Sequence, residues 1–479
     1  MTDYAYASAI DTAAAIANRS VSSRELVAAA FDRIGRVDGP INAVVRTDED
    51  AAYLAADAAD AAVARGAELG PLHGVPITLK DSLQTKGLIT TSGAPELVDH
   101  VPTEDAAPVR AYRDAGAVII AKTNLPIWAG DVQSYNDVYG TTSNPFDLDR
   151  SPGGSSGGSG ASLAAGFSPI EIGSDIGGSI RNPAAMCGVV GHKPSYGLCS
   201  AKGQIPGMPG SLTQADIAVV GPMARTVADA KLGLGLLAGP DDWHDHAWSV
   251  DLPSPRTTTP SDLRVAAWLD DAECPIGSEI GSMLEAIAAK LSEAGANVDT
   301  DARPDFTFAK ARSTFDQLIG GALSGSWSNV EIEELASAAD IQGGLGVHHA
   351  AQRHRSWLSA NERRLQMRRK WKSFFENWDV CLMPVSPRAA VLHDHSEPMT
   401  ARVIDVEGTT RSYTDQMAWM GIVGVVFLPS TVVPIGLNSD GLPVGIQIVG
   451  PFLEDNTCLA VAQMIEDMTD GFVPPKSCV

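Results

Sequence analysis

Three short segments hold residue types suited to acyl chemistry. Lys80 closes GVPITLK (74–80), where apolar and other residues alternate as in a strand. At a strand end in water such a lysine is an inert cation; buried, it gives up its proton easily and can act as a base. The run SPGGSSGGSGASLAAG (151–166) contains only small residues apart from Leu163, and Gly153, Ser155 and Gly157 fit the G-x-S-x-G spacing. That spacing suggests a nucleophile elbow, which needs a strand directly before it. The preceding NPFDLDRSP reads as a loop, so by composition the run is equally a flexible linker. Against a linker stand the helix-forming ASLAAG that follows and the lack of any composition shift nearby. In the third segment, a strand over 169–174 enters DIGGSIR (175–181) and Ser179. Glycines there let backbone N–H groups converge on one point without side chains in the way, as an oxyanion requires. A Gly-rich turn with an exposed serine has the same pattern.

Other chemistries find less support. No Gly-Lys dipeptide exists, which excludes a P-loop. Gly233, Gly235 and Ala238 match a dinucleotide fingerprint only inside a helical pattern. The pairs His244/His246 and His393/His395 lie in polar loops without cysteine or ordered carboxylates nearby, so no metal site is expected. The six cysteines (187, 199, 274, 381, 458, 478) form no C-x-x-C pair and are too sparse for a disulfide scaffold. They read as reduced thiols of a cytoplasmic protein. No cofactor is implied.

The elements that must position these residues alternate along the chain. Ser22 and Glu25 predict a capping box, and residues 48–66 a helix ending at Gly66. Helices are expected over 105–116 and 225–238, a strand over 117–121, and a helix opening at Asn182 and Pro183. Residues 240–262 read as a surface loop, and 263–300 as strand–helix–strand. A long helix is expected over 350–378, with Trp357, Leu365, Trp371, Phe374 and Phe375 on its apolar side and a basic, solvated face. The uncharged stretch 416–439 is long enough to cross a bilayer, but its prolines, glycines and β-branched pairs favour buried strands broken by turns. The alternation over the whole length argues for one α/β architecture.

The 479 residues are 44% hydrophobic and 19% charged, enough apolar material for a large core. A net charge of −23 disfavours nucleic acid and anionic membrane as partners. The N-terminus lacks a basic start followed by an apolar block, so no signal peptide is expected.

Taken together, the segments change the reading. GVPITLKDS (74–82), KTNLPIWA (122–129), NPFDLDRSPGGSSGGSGA (144–161), IGSDIGGSIRNPAAMCGVVGHKPSYG (172–197) and GLPVGIQIVGP (441–451) occur in one order. In that order they resemble the amidase signature family, over about residues 20 to 465. His192 and Cys199 depart from the family pattern, and residues 240–375 match little of it.

The resemblance implies a single α/β/α domain over 1–479, a large mixed sheet flanked by helices on both faces. Residues 240–375 would shape the substrate site. It implies Ser179 as nucleophile, Ser155 as the middle serine behind a cis Gly154–Ser155 bond, and Lys80 as base. The backbone N–H groups of Ile176, Gly177, Gly178 and Ser179 would hold the oxyanion, and Ala129 would contact the acyl side. Ser156, Asp175 and Arg181 would hold the Gly-rich loops. The leaving-group side would come from 305–350 and 413–428, with Trp327, Trp419 and Phe427 as candidates. The activity implied is hydrolysis of a small-molecule amide, with anilide, carbamate (urethane) and ester variants open, as is a homodimer. One alternative is the amidase subunit of a glutamine-dependent tRNA amidotransferase, which would need a partner chain and a cation for the glutamine carboxylate. Another is a non-catalytic binding protein on the same fold.

Overall fold

The computed structural model describes residues 4–337 and 347–478. Its central element is an eight-stranded mixed sheet. From one edge its strands are Asn297–Asp299, Arg264–Ala267, Val380–Pro384, Pro443–Val449, Ser430–Leu437, Val190–Lys193, Val219–Ala224 and Ile170–Asp175. The first three run parallel and the other neighbours pair antiparallel. Val44–Thr47, Val118–Thr123 and Pro76–Lys80 form a second, three-stranded sheet. Its Pro76–Lys80 strand packs beside Ile170–Asp175, and Thr78 Oγ1 donates to Glu171 at 2.9 Å. The strand carrying Lys80 thus meets the strand that leads to Ser179.

Helices cover both faces because the strands alternate. Val265, Ala267, Val380 and Leu382 join one core, with the helices Val227–Leu237, Ser278–Glu293 and Asp455–Asp467. Ala266, Cys381 and Met383 point the other way, into a core with the helices Phe308–Ala322, His354–Phe374 and Ala418–Gly424. Residues 240–375 therefore supply two sheet strands as well as helices of both faces.

Local signals hold at several ends. Ser22 and Glu25 form the reciprocal capping box, and the helix Glu49–Arg65 ends at Gly66 with φ +67°. Others shift. The Gly/Ser run is no linker: Gly157–Ala164 is a fully buried helix. Its small residues allow backbone contact, since a Cβ on Gly158 would lie 2.4 Å from the Asn124 nitrogen. The next helix begins at Arg181, ahead of the expected Asn182; Asn182 Oδ1 instead accepts from the Gly154 N–H at 3.2 Å. Within the uncharged 416–439 stretch, Ala418–Gly424 is a short buried helix rather than a strand. No helix among the described residues is long and apolar enough to cross a membrane.

The long helix also departs from its expected faces. Leu365 is exposed, while Trp371 and Met367 take the core side. Arg364 is buried, paired with Asp216 at 2.8 Å and stacked over Phe427. The basic run is thus only partly a solvated face: guanidinium groups on aromatic rings keep some of it inside.

Candidate active site

Lys80 ends its strand with no exposed surface. Its Nζ lies 2.7 Å from Ser155 Oγ, 2.9 Å from Ser156 Oγ and 2.9 Å from Ser174 Oγ. Burial pushes its pKa down to about 7, against the opposing pull of Asp175 and Glu171. A neutral amine has two N–H donors and one lone pair. Among three hydroxyls, one must therefore donate to the nitrogen, and the shortest contact is Ser155.

Ser155 follows a cis Gly154–Ser155 peptide bond. Gly154 must be glycine: a Cβ would sit 2.6 Å from the backbone of Val132 and Gln133. Ser156 ties this loop to the next, its N–H donating to the Ser179 carbonyl at 3.2 Å. Its hydroxyl also accepts from the Ser174 N–H at 3.3 Å.

The loop 176–180 is organised around Asp175. This carboxylate accepts from the N–H groups of Gly178 at 2.9 Å and Ile180 at 3.2 Å, and from the Arg181 guanidinium at 2.9 and 3.0 Å. Burial works against the charge, but Arg181, Lys193 and the Ile180 N–H together hold the Asp175 carboxyl below its ordinary pKa. Arg181, fully buried, also donates to the Met420 carbonyl and Gln447 Oε1, each at 2.8 Å. Removing either charge would strand the other, which typically costs about 3–5 kcal/mol.

These bonds revise one expectation. The Gly178 N–H is occupied by Asp175. The N–H groups of Ile176, Gly177 and Ser179 have no hydrogen-bond partner among the described residues. Three of the four amides expected to face an oxyanion are thus unpaired among the described residues.

Ser179 is 7% exposed and faces two chambers. The larger, about 420 Å³, reaches Ser155, Trp128 and Ala129 on one side and Pro206, Met208 and Leu323 on another. The smaller, about 50 Å³, is bounded by Gly177, Ile319, Met399, Met417, Asp131 and Tyr413. Ala129, Ile176, Ser179 and Leu323 border both. Ala129 and its neighbour Trp128 have positive φ, +56° and +52°.

The amidase family profile matches residues 25–459. The chain belongs to the amidase signature family. It is an amide C–N hydrolase of that family. A glutamyl-tRNA(Gln) amidotransferase subunit from Acidothermus cellulolyticus is 35% identical to this amidase, over 97% of this chain and 95% of its own. The structure of 6-aminohexanoate cyclic dimer hydrolase with its substrate superposes with TM-score 0.81 at 27% identity, covering 99% of this chain and 100% of the other. A bacterial aryl acylamidase gives 0.80 at 25% identity, covering 96% of each chain.

The amidase's aromatic candidates fall away from the site. Trp419 is core, its Nε1–H donating to the Cys274 carbonyl at 3.0 Å. Phe427 stacks on Tyr196, and Trp327 borders neither chamber. Of the spans 305–350 and 413–428, the described residues at the chambers are Ile319, Ala322, Leu323, Gly325, Tyr413 and Met417; residues 338–346 lie outside the described residues. The segment 204–218, which walls the large chamber through Gln204, Pro206, Gly207, Met208, Thr213, Ala215 and Ala218, was not anticipated. Its density of Gly, Pro and Ser marks a loop but not the loop's position. His192, one departure from the family pattern, is buried in the sheet, bonded to Thr431 at 2.8 Å and Asp455 at 3.1 Å. Among the described residues no group of histidine, cysteine and carboxylate side chains could hold a metal ion.

Proposed function

We propose that the enzyme hydrolyses small-molecule amides through an acyl-enzyme on Ser179. The observation that carries this is Lys80: without exposed surface, its pKa pushed down by burial to about 7, and 2.7 Å from Ser155. An amide carbonyl is a poor electrophile, so attack needs a base for the serine and donors for the developing charge. Neutral Lys80 takes the Ser155 proton as Ser155 takes that of Ser179. Ser179 Oγ bonds the carbonyl carbon, and the negative oxygen lies against the N–H groups of Ile176, Gly177 and Ser179. Ser155 then passes a proton to the departing nitrogen as Lys80 returns one to Ser155, the C–N bond breaks, and the amine leaves. Water attacks the ester along the same relay, releasing the carboxylic acid and restoring Ser179. Carbamates and esters present the same carbonyl and fall within this chemistry.

The test is a hydrolysis panel of p-nitroanilides, aliphatic amides, carbamates and esters. Ser179→Ala should lose on the order of 10³-fold or more in rate, and only the wild type should yield a Ser179 adduct with a fluorophosphonate. Turnover unchanged in Ser179→Ala overturns the proposal.

The curated relatives favour a second reading, the amidase subunit of an amidotransferase acting with a partner chain. Amidotransferase subunits match at 30–35% identity over nearly the whole chain. A glutaminase site must grip an α-carboxylate. Yet neither chamber has a lysine or arginine among its described bordering residues, and most of those in the larger one are apolar or small. The cavity therefore suits the first reading. Glutamine hydrolysis that appears only with a co-purified partner would decide for the second.

A further inference from the structure

Resting on the hydrolase reading, we infer that the enzyme takes amides or carbamates with a short acyl part and a bulky apolar amine. The two chambers set this direction. A carbonyl carbon bonded to Ser179 Oγ has three other substituents: the oxygen, the acyl group and the nitrogen. The free N–H groups of Ile176, Gly177 and Ser179 fix the oxygen. The other two substituents must part, one to each chamber, because both chambers meet at Ser179.

Ser155 decides which goes where. It must hand a proton to the departing nitrogen, and it borders the large chamber but not the small one. The amine therefore leaves through the large chamber, about 420 Å³, whose walls include Trp128, Pro206, Met208, Ala218 and Leu323. The acyl substituent enters the small chamber of about 50 Å³. At about 10–15 Å³ per water-sized occupant, that space seats roughly four non-hydrogen atoms. A propyl or an ethoxy group fits; a heptyl chain does not.

The small chamber is narrow, about 50 Å³ against about 420 Å³ for its neighbour. Met417 lines it beside Gly177, where a Cβ would lie 3.1 Å from the Met417 sulfur. Asp131 and Tyr413 form its polar end wall. The Tyr413 hydroxyl donates to Asp131 Oδ1 at 2.6 Å, and Arg402 donates to Asp131 Oδ2 at 2.6 Å. The Val132 N–H and the Tyr135 hydroxyl supply two more bonds, at 2.6 and 3.1 Å. Every lone pair of this carboxylate is engaged, and Arg402 has no exposed side-chain surface. These bonds hold the wall in place and occupy the Asp131 oxygens. Met417 and Met399, flexible and apolar, set the remaining length.

The test uses two matched series with purified wild type, Met417→Ala and Met399→Ala. In the first, the amine is p-nitroaniline and the acyl group lengthens from acetyl to octanoyl. In the second, the acyl group is propionyl and the amine grows from ammonia to naphthylamine. Wild-type kcat/KM should fall at least tenfold between butyryl and octanoyl, while the bulky amines are accepted. Met417→Ala should move the acyl cut-off to longer chains and leave the amine series in the same order. Met399→Ala, at a less buried position, gives the same readout if Met417→Ala fails to fold. Octanoyl turned over as well as acetyl, or a cut-off that moves in the amine series instead, overturns the chamber assignment alone. Loss of all turnover together with no labelling of Ser179 overturns the hydrolase reading and this inference with it.

Discussion

Replacing Lys80 by methionine removes the amine while keeping the chain length. Its consequences can be worked out in both activity and stability. A group with a pKa of about 7 is roughly three-quarters neutral at pH 7.5, against about one part in a thousand for an ordinary lysine. Wild-type kcat/KM on a neutral amide should therefore rise tenfold per pH unit below about 7 and level off above it. Lys80→Met should lose on the order of 10³-fold across the range. Stability carries the opposite mark. Between pH 7 and 10.5 the unfolded lysine holds a proton that the folded one has released, so wild-type stability gained from this group rises with pH through that window. Below pH 7 the buried ammonium is at its most costly. Lys80→Met should therefore gain most over wild type near pH 6.5, and that advantage should shrink by about 3 kcal/mol by pH 9.5. Lys122 and Lys193, buried and held at about 8, titrate in both proteins and cancel in the difference. Urea denaturation at the two pH values, beside a pH–rate profile, measures both effects. An acid limb near pH 10, or a stability difference that does not change with pH, refutes the reasoning.

Asp175→Asn leaves Arg181 without its partner inside the fold and should destabilise by about 3–5 kcal/mol, measured by urea denaturation, with kcat falling as the 176–180 loop loosens. Gly158→Ala forces a methyl against the backbone of Asn124 and should destabilise by at least about 2 kcal/mol; an unchanged melting temperature would show that the buried helix has slack. Glu171, itself raised to about 7 by burial, lends Lys80 a stabilising negative charge. Glu171→Gln should move the acid limb of the pH–rate profile to lower pH, and a limb that stays or rises contradicts that coupling.

Ser155 and Ser179 draw notice through their Gly/Ser-rich neighbours, whereas Lys80 is singled out only by the resemblance of the ordered segments to a known family; the structure brings Lys80 within reach of Ser155. The Gly/Ser run was ambiguous for a physical reason: small residues suit both a solvated linker and a helix pressed against backbone, and only Asn124, distant in sequence, decides between them. The strands Ile170–Asp175, Arg264–Ala267 and Asn297–Asp299 fall where strands were expected, over 169–174 and within 263–300, whereas Val190–Lys193 and Val219–Ala224 were not expected. The Ala418–Gly424 helix was not, because a helix buried on every side carries no polar stripe. Arg364 looked solvated by type, and the ring of Phe427 that covers it could not be foreseen from the chain alone. The partition of the site into a large and a small chamber depends on Met417, Tyr413, Asp131 and Leu323, residues with no common motif.

The ends of the eight-stranded sheet have a consequence for behaviour at high concentration. At one end, Ile170–Asp175 is shielded by the neighbouring strand that bears Lys80. At the other, Asn297–Asp299 is only three residues long and terminates in an acid. Neither presents the long, flat, uncharged rim on which chains stack into fibrils, so this sheet is guarded against self-association through its edges by brevity on one side and by cover on the other.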